Sequence, residues 1–318
     1  MRALHGVERD GRIVASLDDI SAPVPAAGEV LLEVAASGVN RADLLQIAGQ
    51  YPSPAGEPPG LGLEAAGTLP SGARVCALVA GGAHAEFAAV PEGQLIPLPA
   101  SMDFPTGAAI PEAFLTAFLN LAVEGGLEPG HTVLVHAGAS GVGLAAIQVA
   151  KYLGARVAAT TRTRAKLEAM EAAGADLVLQ SRGGEFAQAI EARWGRDAVH
   201  VVLDPVGQAT VAGDLAVLAP RGRVIMLSAM SGGAATLDLG IVLRKRAEIR
   251  GSTLRARPRS EKAALVARFR RELLPGFEAG SLRANVDAVV PAAQAAEAFE
   301  RMRADVNTGK LVLRWRER

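Results

Sequence analysis

The sequence predicts an α/β protein that combines a doubly wound, six-stranded parallel sheet with a second, mostly β domain. Length is the first reason, because 318 residues are long for a single core and one domain per ~150 residues suggests two domains. The second reason is the pattern of apolar residues along the chain. Short apolar runs broken by Pro and Gly give way, at about residue 130, to apolar runs that alternate with stretches of helix length.

The chain before about residue 110 has a pattern typical of small antiparallel sheets. Runs such as "EVLLEVAAS" and "HAEFAAVPEGQLIPLP" are short and are separated by Pro and Gly. The C-terminal part carries two charged amphipathic helices and a last strand, "GKLVLRW", which we expect to fold back onto this region. We therefore predict a discontinuous, mostly β domain of residues 1–121 and 259–318, with the parallel sheet in residues 122–258.

Six strand-like runs predict the parallel sheet. In chain order they read "TVLVHA", "RVAATT", "DLVLQ", "HVVLDPVG", "RVIMLS" and "EIRGSTL". Strands that alternate with helices form βαβ units, in which helices cover both faces of the sheet.

Composition excludes several classes of partner. The 33 Lys and Arg residues balance the 33 Asp and Glu residues, so no excess of charge favours nucleic acid or a membrane surface. A single cysteine, Cys76, and scattered histidines make a metal site improbable. No apolar stretch has the length of a signal-peptide core or a membrane span. We expect a soluble, cytoplasmic protein without nucleic-acid, membrane or metal partners.

A glycine-rich loop follows the first of the six strands. Residues 138–143 read "GASGVG" and open a helix, which matches the dinucleotide fingerprint except that Ser140 replaces its second glycine. In such a loop, backbone N–H groups and a helix N-terminus approach a pyrophosphate, and the last glycine lets helix and strand pack closely. We therefore predict a Rossmann-type domain. Its predicted cofactor contacts in the loop are Gly138, Ser140, Gly141, Val142 and Gly143.

Two other interpretations of the loop are each excluded because one required sequence feature is missing. A serine-hydrolase nucleophile elbow needs a glycine two residues after the serine, where the chain has Val142. A Walker-type loop needs G-K-[S/T] at its end, which is missing here.

The end of the second strand predicts which dinucleotide is bound. An NAD site has an acidic residue here for the ribose 2′-OH, but "TTRTRAK" contains none. Its hydroxyls and cations suit a 2′-phosphate, and cations at a helix start oppose the helix dipole unless an anion is bound. We therefore predict NADPH as the cofactor.

The motifs "ASGVNRADLLQIAGQYP", "GLEAAG", "AAIPEAFLTAF", "PGHTVLVHAGASGVG", "AIQVAKYLGA", "LDPVG" and "NTGKLVL" together resemble a known family. Nearly the whole chain is similar to the zinc-free quinone oxidoreductase branch of the medium-chain dehydrogenase/reductase superfamily. Within that branch, "GVNRADL" and "GQY" are most similar to the tumour-suppressor-inducible members. The resemblance implies a GroES-like catalytic domain beside the Rossmann domain, and a homodimer that pairs the strand near "EIRGSTL".

Departures from the zinc-dependent members of the superfamily imply that no zinc is used. Asn40 and Leu63 stand where those enzymes have a cysteine and a histidine ligand, and one cysteine cannot form a structural zinc lobe. Glu64 survives from the zinc pattern, and we expect it to form a structural salt bridge.

The resemblance also assigns roles to individual residues. It places Asn40 and Thr116 near the nicotinamide, and the backbone of Ser140 to Val142 at the pyrophosphate. It also assigns the 2′-phosphate to Lys166, with Thr161 and Arg162 as neighbours. Further cofactor candidates are Ser181, at a position where relatives often have a tyrosine, Asp204 and Ser228 at strand ends, and Lys310 in "NTGKLVL".

Tyr51 and Asn40 are the candidate catalytic residues. Tyr51 lies in a Pro- and Gly-rich loop that the resemblance puts at the substrate cleft, and whether it donates a proton is left open. The other tyrosine, Tyr152, lies on the helix after the glycine-rich loop and is expected to have a packing role. Neither tyrosine starts a Tyr-x-x-x-Lys motif, which excludes a short-chain reductase.

The function that these observations favour is an NADPH-dependent enzyme that transfers hydride to a quinone. A quinone becomes aromatic on reduction and needs little help from a Lewis acid. Two alternatives stay open, a reductase of alkenals or enoyl thioesters with Tyr51 as proton donor, and a non-catalytic, crystallin-type protein that binds NADPH.

Overall fold

The computed structural model describes residues 1–9 and 12–316 of the chain. Within it the chain divides into two compact units, one formed by Met1–Leu115 with Leu254–Arg318 and the other by Thr116–Thr253. We call them the discontinuous unit and the continuous unit. The sequence-based domain boundaries, 121/122 and 258/259, lie a few residues away from these limits and stay a prediction.

The strands alternate regularly with helices in the continuous unit. The strands are β1 Arg2–Arg9, β2 Arg12–Asp19, β3 Glu29–Val39, β4 Glu64–Thr68, β5 Arg74–Leu78, β6 Phe87–Pro91, β7 Leu95–Pro97, β8 Thr132–Val135, β9 Arg156–Thr161, β10 Leu177–Gln180, β11 Val199–Asp204, β12 Leu218–Met226, β13 Glu248–Gly251, β14 Val286–Pro291 and β15 Lys310–Arg314.

The helices are mostly short. The α-helices are α1 Arg41–Ile47, α2 Phe104–Ala108, α3 Pro111–Phe118, α4 Gly141–Tyr152, α5 Leu167–Ala172, α6 Phe186–Trp194, α7 Val211–Val217, α8 Leu239–Lys245, α9 Arg259–Glu272, α10 Leu274–Glu278 and α11 Ala295–Arg303. Leu119–Glu124 is a π-helix, and Glu92–Gln94, Arg164–Lys166 and Ala292–Gln294 are 3₁₀ turns. No helix in the described part of the chain is long and apolar enough to cross a membrane.

The continuous unit contains the predicted parallel sheet. Its strand order is β10-β9-β8-β11-β12-β13, and all neighbours pair in parallel. All six predicted strands are present, and the doubly wound fold is confirmed. The order reverses between β8 and β11, and ligands of such sheets bind beyond the carboxyl ends of the strands at this point.

One edge of this sheet is β13, which pairs only with β12 among the described strands. This is the strand that the sequence analysis expects to form a homodimer contact. The homodimer stays a prediction. Tyr152 is 39% exposed at the end of α4.

The discontinuous unit is mostly β, as the sequence predicts. Its larger sheet has the order β14-β15-β3-β4-β5-β7, with β6 also paired to β3, and β1 and β2 form a separate antiparallel pair. The C-terminal strand β15 pairs antiparallel with β3 in a register that sets Leu311 opposite Val39. This long-range pairing brings Lys310 to the residue that follows β3, Asn40.

Candidate functional site

Two groups of polar residues carry the predicted site, one in each unit. The group in the continuous unit begins with the glycine-rich loop between β8 and α4. Ser140 is the N-cap of α4, and its Oγ accepts a hydrogen bond from the Gly143 N–H at 3.0 Å. The loop is tied to β9, because the Gly138 N–H donates to the Thr160 carbonyl at 2.8 Å.

Two glycines of the loop are required by close packing. A Cβ on Gly143 would lie 2.4 Å from the Ala137 carbonyl oxygen, and one on Gly138 would lie 2.5 Å from Met170 Sδ. The contact at Gly143 is with backbone and cannot be relieved by a side-chain movement. The helix N-terminus is thereby held against the strand ends, which is the arrangement that suits a pyrophosphate.

The end of β9 carries the predicted 2′-phosphate residues. Thr161 is buried, Arg162 is exposed and Lys166 is partly buried in the 3₁₀ turn that follows. The hydroxyl of Thr161 accepts a hydrogen bond from the Thr163 N–H at 3.3 Å, which shapes the turn. The structure thus brings two cations and a hydroxyl to one strand end.

Ser181 lies next to this turn, because its N–H donates to the Thr161 carbonyl at 2.9 Å. Its hydroxyl is already engaged, with Oγ 2.8 Å from the Gly183 carbonyl oxygen and 2.9 Å from Glu185 Oε2. A cofactor contact from the Ser181 hydroxyl would have to compete with these acceptors, and the backbone N–H is already used by Thr161.

Asp204 and Ser228 follow neighbouring strands at the same sheet edge. The Asp204 carboxylate is fully buried and accepts hydrogen bonds from the N–H groups of Val206 and Gly207 and from Thr210 Oγ1. These bonds hold the turn after β11, so the Asp204 carboxylate has a structural role. Ser228 is exposed after β12.

A buried His–Asp pair lies beneath the glycine-rich loop and was missed in the sequence. His136 Nε2 is 2.7 Å from Asp214 Oδ1, and His136 Nδ1 is 2.8 Å from Thr160 Oγ1. Burial, with the Asp204 charge nearby, raises the pKa of Asp214 to about 7. Burial alone would lower the pKa of His136, but the Asp214 carboxylate outweighs it and the pKa is raised. The pair therefore titrates near neutral pH.

The group in the discontinuous unit is centred on Lys310. Its ammonium, 5% exposed, donates to the Val39 carbonyl at 2.9 Å and to Asn40 Oδ1 at 2.6 Å, and lies 2.5 Å from Glu64 Oε1. The salt bridge expected for Glu64 is confirmed. An ammonium has three donors, and all three are used here. A direct cofactor contact from Lys310 stays a prediction, and the observed role of Lys310 is to fix Asn40.

Asn40 is held from two sides. Its Nδ2 donates to Glu64 Oε1 at 3.0 Å and to the Gly38 carbonyl at 3.1 Å. Its N–H donates to Asp43 Oδ2 at 2.8 Å, and Asp43 also accepts from the Gly62 N–H. Burial would raise the pKa of Asp43, but His84 and these N–H groups outweigh it and the pKa is lowered. Asn40 is thus a rigid amide supported by ionised groups.

Tyr51 lies against Arg255, a residue that the sequence analysis did not single out. The Arg255 guanidinium carbon is 5.2 Å from the centre of the Tyr51 ring. Arg255 is itself buried and donates to Ala80 O, Tyr51 O and Gln46 Oε1. Burial raises the pKa of the Tyr51 hydroxyl, with a further contribution from Glu112. Tyr51 is therefore a fixed ring with a weakly acidic hydroxyl.

Glu112 is the second residue in this group that was missed. It lies in the first turn of α3, and its N–H donates to Glu64 Oε2 at 2.8 Å. Burial and the charge of Glu64 raise the pKa of Glu112 to about 8. The motif "AAIPEAFLTAF" contains the residue, but nothing local in the sequence indicates that Glu64 will lie beside it.

Two protein families match the chain, "Alcohol dehydrogenase GroES-like domain" over residues 26–100 and "Zinc-binding dehydrogenase" over residues 141–270. Quinone oxidoreductase of Lama guanicoe is similar at 30% identity over 326 residues, which cover 98% of this chain and 97% of that protein. The chain belongs to the zinc-free quinone oxidoreductase branch of the medium-chain dehydrogenase/reductase superfamily. The family predicted from the sequence is confirmed, and the narrower resemblance to its tumour-suppressor-inducible members stays a prediction.

Other members and relatives extend the comparison. The quinone oxidoreductase of Thermus thermophilus, solved also as its complex with NADPH, is similar with a TM-score of 0.84 at 35% identity, covering 99% of this chain and 100% of that chain. The spectinabilin polyketide synthase system protein NorB of Streptomyces orinoci is 35% identical over 314 residues, which cover 96% of this chain. This chain spans 14% of that longer protein.

Proposed function

We propose that the protein is an NADPH-dependent quinone reductase that works without zinc. The observation that carries the proposal is the end of β9, where the carboxylate of an NAD site is replaced by Thr161, Arg162 and Lys166. It occurs in a chain that is similar to quinone oxidoreductases over nearly its whole length. An oxidoreductase is the class that the family shows, and the quinone and NADPH are the proposed substrates.

The described residues fit the dinucleotide. The glycines at 138 and 143 lie where a Cβ would collide with neighbouring atoms, and Ser140 caps the helix whose N-terminus would face the pyrophosphate. We assign the 2′-phosphate to Thr161, Arg162 and Lys166, and the nicotinamide end to Asn40 and Thr116. NADPH would supply the hydride. The protein would bind and orient it, and would keep water from the reacting atoms.

Zinc independence is supported by the surroundings of Asn40. Asn40 and Leu63 replace two ligands of the zinc-dependent relatives, and Glu64 already has Lys310 as its counter-ion at 2.5 Å. A divalent cation bound beside Asn40 would be repelled by this ammonium. A quinone fits a site without a Lewis acid, because its reduction restores aromaticity.

A second candidate, reduction of enoyl thioesters or alkenals, is favoured by one observation. The chain is 35% identical to part of a polyketide synthase system protein, and polyketide synthases act on acyl thioesters. This chemistry places a proton on carbon and demands a positioned acid, whereas a hydroquinone oxygen can also exchange protons with water.

A panel of acceptors tests the proposal. NADPH oxidation would be measured with ortho- and para-quinones, alkenals and enoyl thioesters at matched concentrations. We expect quinones to give the highest kcat/KM. A preference for enoyl thioesters would favour the second candidate, and tight NADPH binding without turnover of any acceptor would favour a non-catalytic protein.

A further inference from the structure

Two carboxyl groups lie side by side in the discontinuous unit and have opposite surroundings. Glu64, fully buried, has the Lys310 ammonium and the Asn40 amide on Oε1, and the Glu112 N–H on Oε2. Glu112 receives no such support. Among the residues that the structure describes, no donor or cation contacts its carboxyl oxygens.

This asymmetry decides which of the two carboxyl groups is ionised. A carboxylate with a cation and N–H donors is stabilised, whereas a partly buried carboxyl beside a like charge retains its proton. The charged groups around Glu112 are Glu64 and Asp43, which favour its neutral form, and Lys310 and Arg255, which oppose it. Desolvation and Glu64 prevail. The pKa of Glu112 is raised to about 8, so at neutral pH Glu112 retains its proton.

Tyr51 is a weaker acid than Glu112. Its ordinary pKa is 10, and burial raises it further. Its ring is fixed under Arg255, whose guanidinium donors are used by Ala80, Gln46 and the Tyr51 carbonyl. A hydroquinone anion is itself a phenolate, with a basicity like that of tyrosinate, pKa about 10. Proton transfer to the hydroquinone anion is therefore favourable from Glu112 and is not favourable from Tyr51.

The position of Glu112 also suits this task. It lies four residues before Thr116 on α3, so both side chains project from the same face of the helix. Thr116 is the residue assigned above to the nicotinamide end. The acid is thus carried by the helix face proposed to meet the reacting end of the cofactor.

We propose that the carboxyl group of Glu112 donates the proton that completes reduction of the acceptor, while Tyr51 shapes the acceptor pocket. The proposal rests on the proposed function. NADPH would supply the hydride, which carries two electrons, would reduce the quinone to the hydroquinone anion and would itself be oxidised to NADP⁺. The O–H bond of Glu112 then breaks, an O–H bond forms on the hydroquinone anion, and water returns a proton to the Glu112 carboxylate.

The first test observes the proton itself, without cofactor or substrate. Infrared difference spectra would be recorded across a pH titration of wild type, Glu112→Gln and the matched control Glu278→Gln, an exposed glutamate of the same unit. We expect a neutral-carboxyl C=O band that disappears with a midpoint near pH 8 in wild type and the control. This component should be missing in Glu112→Gln, which retains the neutral-carboxyl band of Asp214 with a midpoint near pH 7. A Glu112 carboxyl that is ionised at neutral pH would overturn the proposal.

The second test separates the two candidate acids by turnover. Glu112→Gln should lower kcat for quinone reduction by about 10²-fold or more, with NADPH affinity unchanged, and Tyr51→Phe should lower it by less than about tenfold. Glu112→Asp retains an acid and should restore part of the rate. Wild-type kcat should fall as pH rises through about 8, because the acid form is lost.

Failure of this proposal can be told apart from failure of the proposed function. If wild type reduces quinones and Glu112→Gln stays within threefold of its kcat, Glu112 is not the donor and the reductase assignment stands. If wild type reduces no quinone, the proposed function fails, and the donor proposal, which rests on it, fails with it even where the infrared titration finds the neutral acid.

Discussion

Buried charged side chains have different hydrogen-bond partners in the two units. In the discontinuous unit, Glu64 and Lys310 are both deeply buried, and every oxygen of the carboxylate and every donor of the ammonium has a partner. In the continuous unit, Asp214 has His136 on Oδ1, while its buried Oδ2 has no hydrogen-bond partner among the described residues. The first pair is a fixed structural element, whereas the second can gain or lose a proton.

The cations at the end of β9 form a third case. Arg162 is exposed and Lys166 partly buried, in contrast to Lys310. A buried cation with three partners stabilises the fold, but a cation at a strand end beyond a parallel sheet is placed for an anionic ligand. The same residue type therefore serves structure in one unit and, as we propose, binding in the other.

Glu64→Gln should have the largest effect on stability. It leaves the buried Lys310 ammonium without a counter-ion, which should cost about 3–5 kcal/mol in the free energy of unfolding. Urea denaturation at neutral pH measures this, with Glu278→Gln as the control that should change little. A loss below about 1 kcal/mol would mean that water or a neighbouring group compensates Lys310, and the contrast between the units would fail.

Lys166→Ala should mainly weaken cofactor binding, whereas Glu64→Gln should mainly lower stability. It removes one charge-assisted contact and should weaken NADPH binding by about 1.5–3 kcal/mol, with NADH binding nearly unaffected. Stability should hardly change. Calorimetric titration with both dinucleotides would be compared with Arg196→Ala, an exposed cation of the same unit. Equal losses for NADPH and NADH would refute the assignment of Lys166 to the 2′-phosphate.

Asp214→Asn should have the smallest effect, and a pH-dependent one. The pKa of Asp214 is raised to about 7, and that of His136 is also raised, so the folded state binds protons more tightly than the unfolded state. Wild-type stability should therefore fall as pH rises through about 7. In Asp214→Asn this fall should be reduced, because the carboxyl group that takes up the proton is gone. Urea midpoints between mildly acidic and mildly alkaline pH measure it, and an unchanged slope would assign the titration elsewhere.

The sequence predicts the parts of the molecule that depend on local pattern. The alternation of apolar runs with helical stretches is enough to predict the six-stranded sheet. The glycine pattern of residues 138–143 is enough to predict a loop between the first strand of that sheet and the helix that follows it. The absence of a carboxylate after β9 is likewise visible in "TTRTRAK". These features are encoded within a few consecutive residues, so no long-range contact is needed to recognise them.

The parts that sequence reasoning missed depend on pairing between distant residues. Asn40 and Lys310 are 270 residues apart and meet only because β15 pairs with β3 in one register. His136 and Asp214 are 78 residues apart. Glu112 has a raised pKa because it is buried beside Glu64, which lies 48 residues away on β4. A carboxyl group's protonation is decided by such neighbours, and they cannot be seen in a linear pattern.

The most direct test of the central claim, hydride transfer from NADPH to a quinone without a metal, is turnover after metal removal. The protein would be dialysed exhaustively against a chelator, its zinc content measured by elemental analysis, and NADPH oxidation followed with the best quinone. We predict less than stoichiometric zinc before dialysis and unchanged kcat and KM after it, because Lys310 already supplies the positive charge beside Asn40 and Glu64. A tightly bound zinc whose removal abolishes turnover, and whose return restores it, would contradict the account.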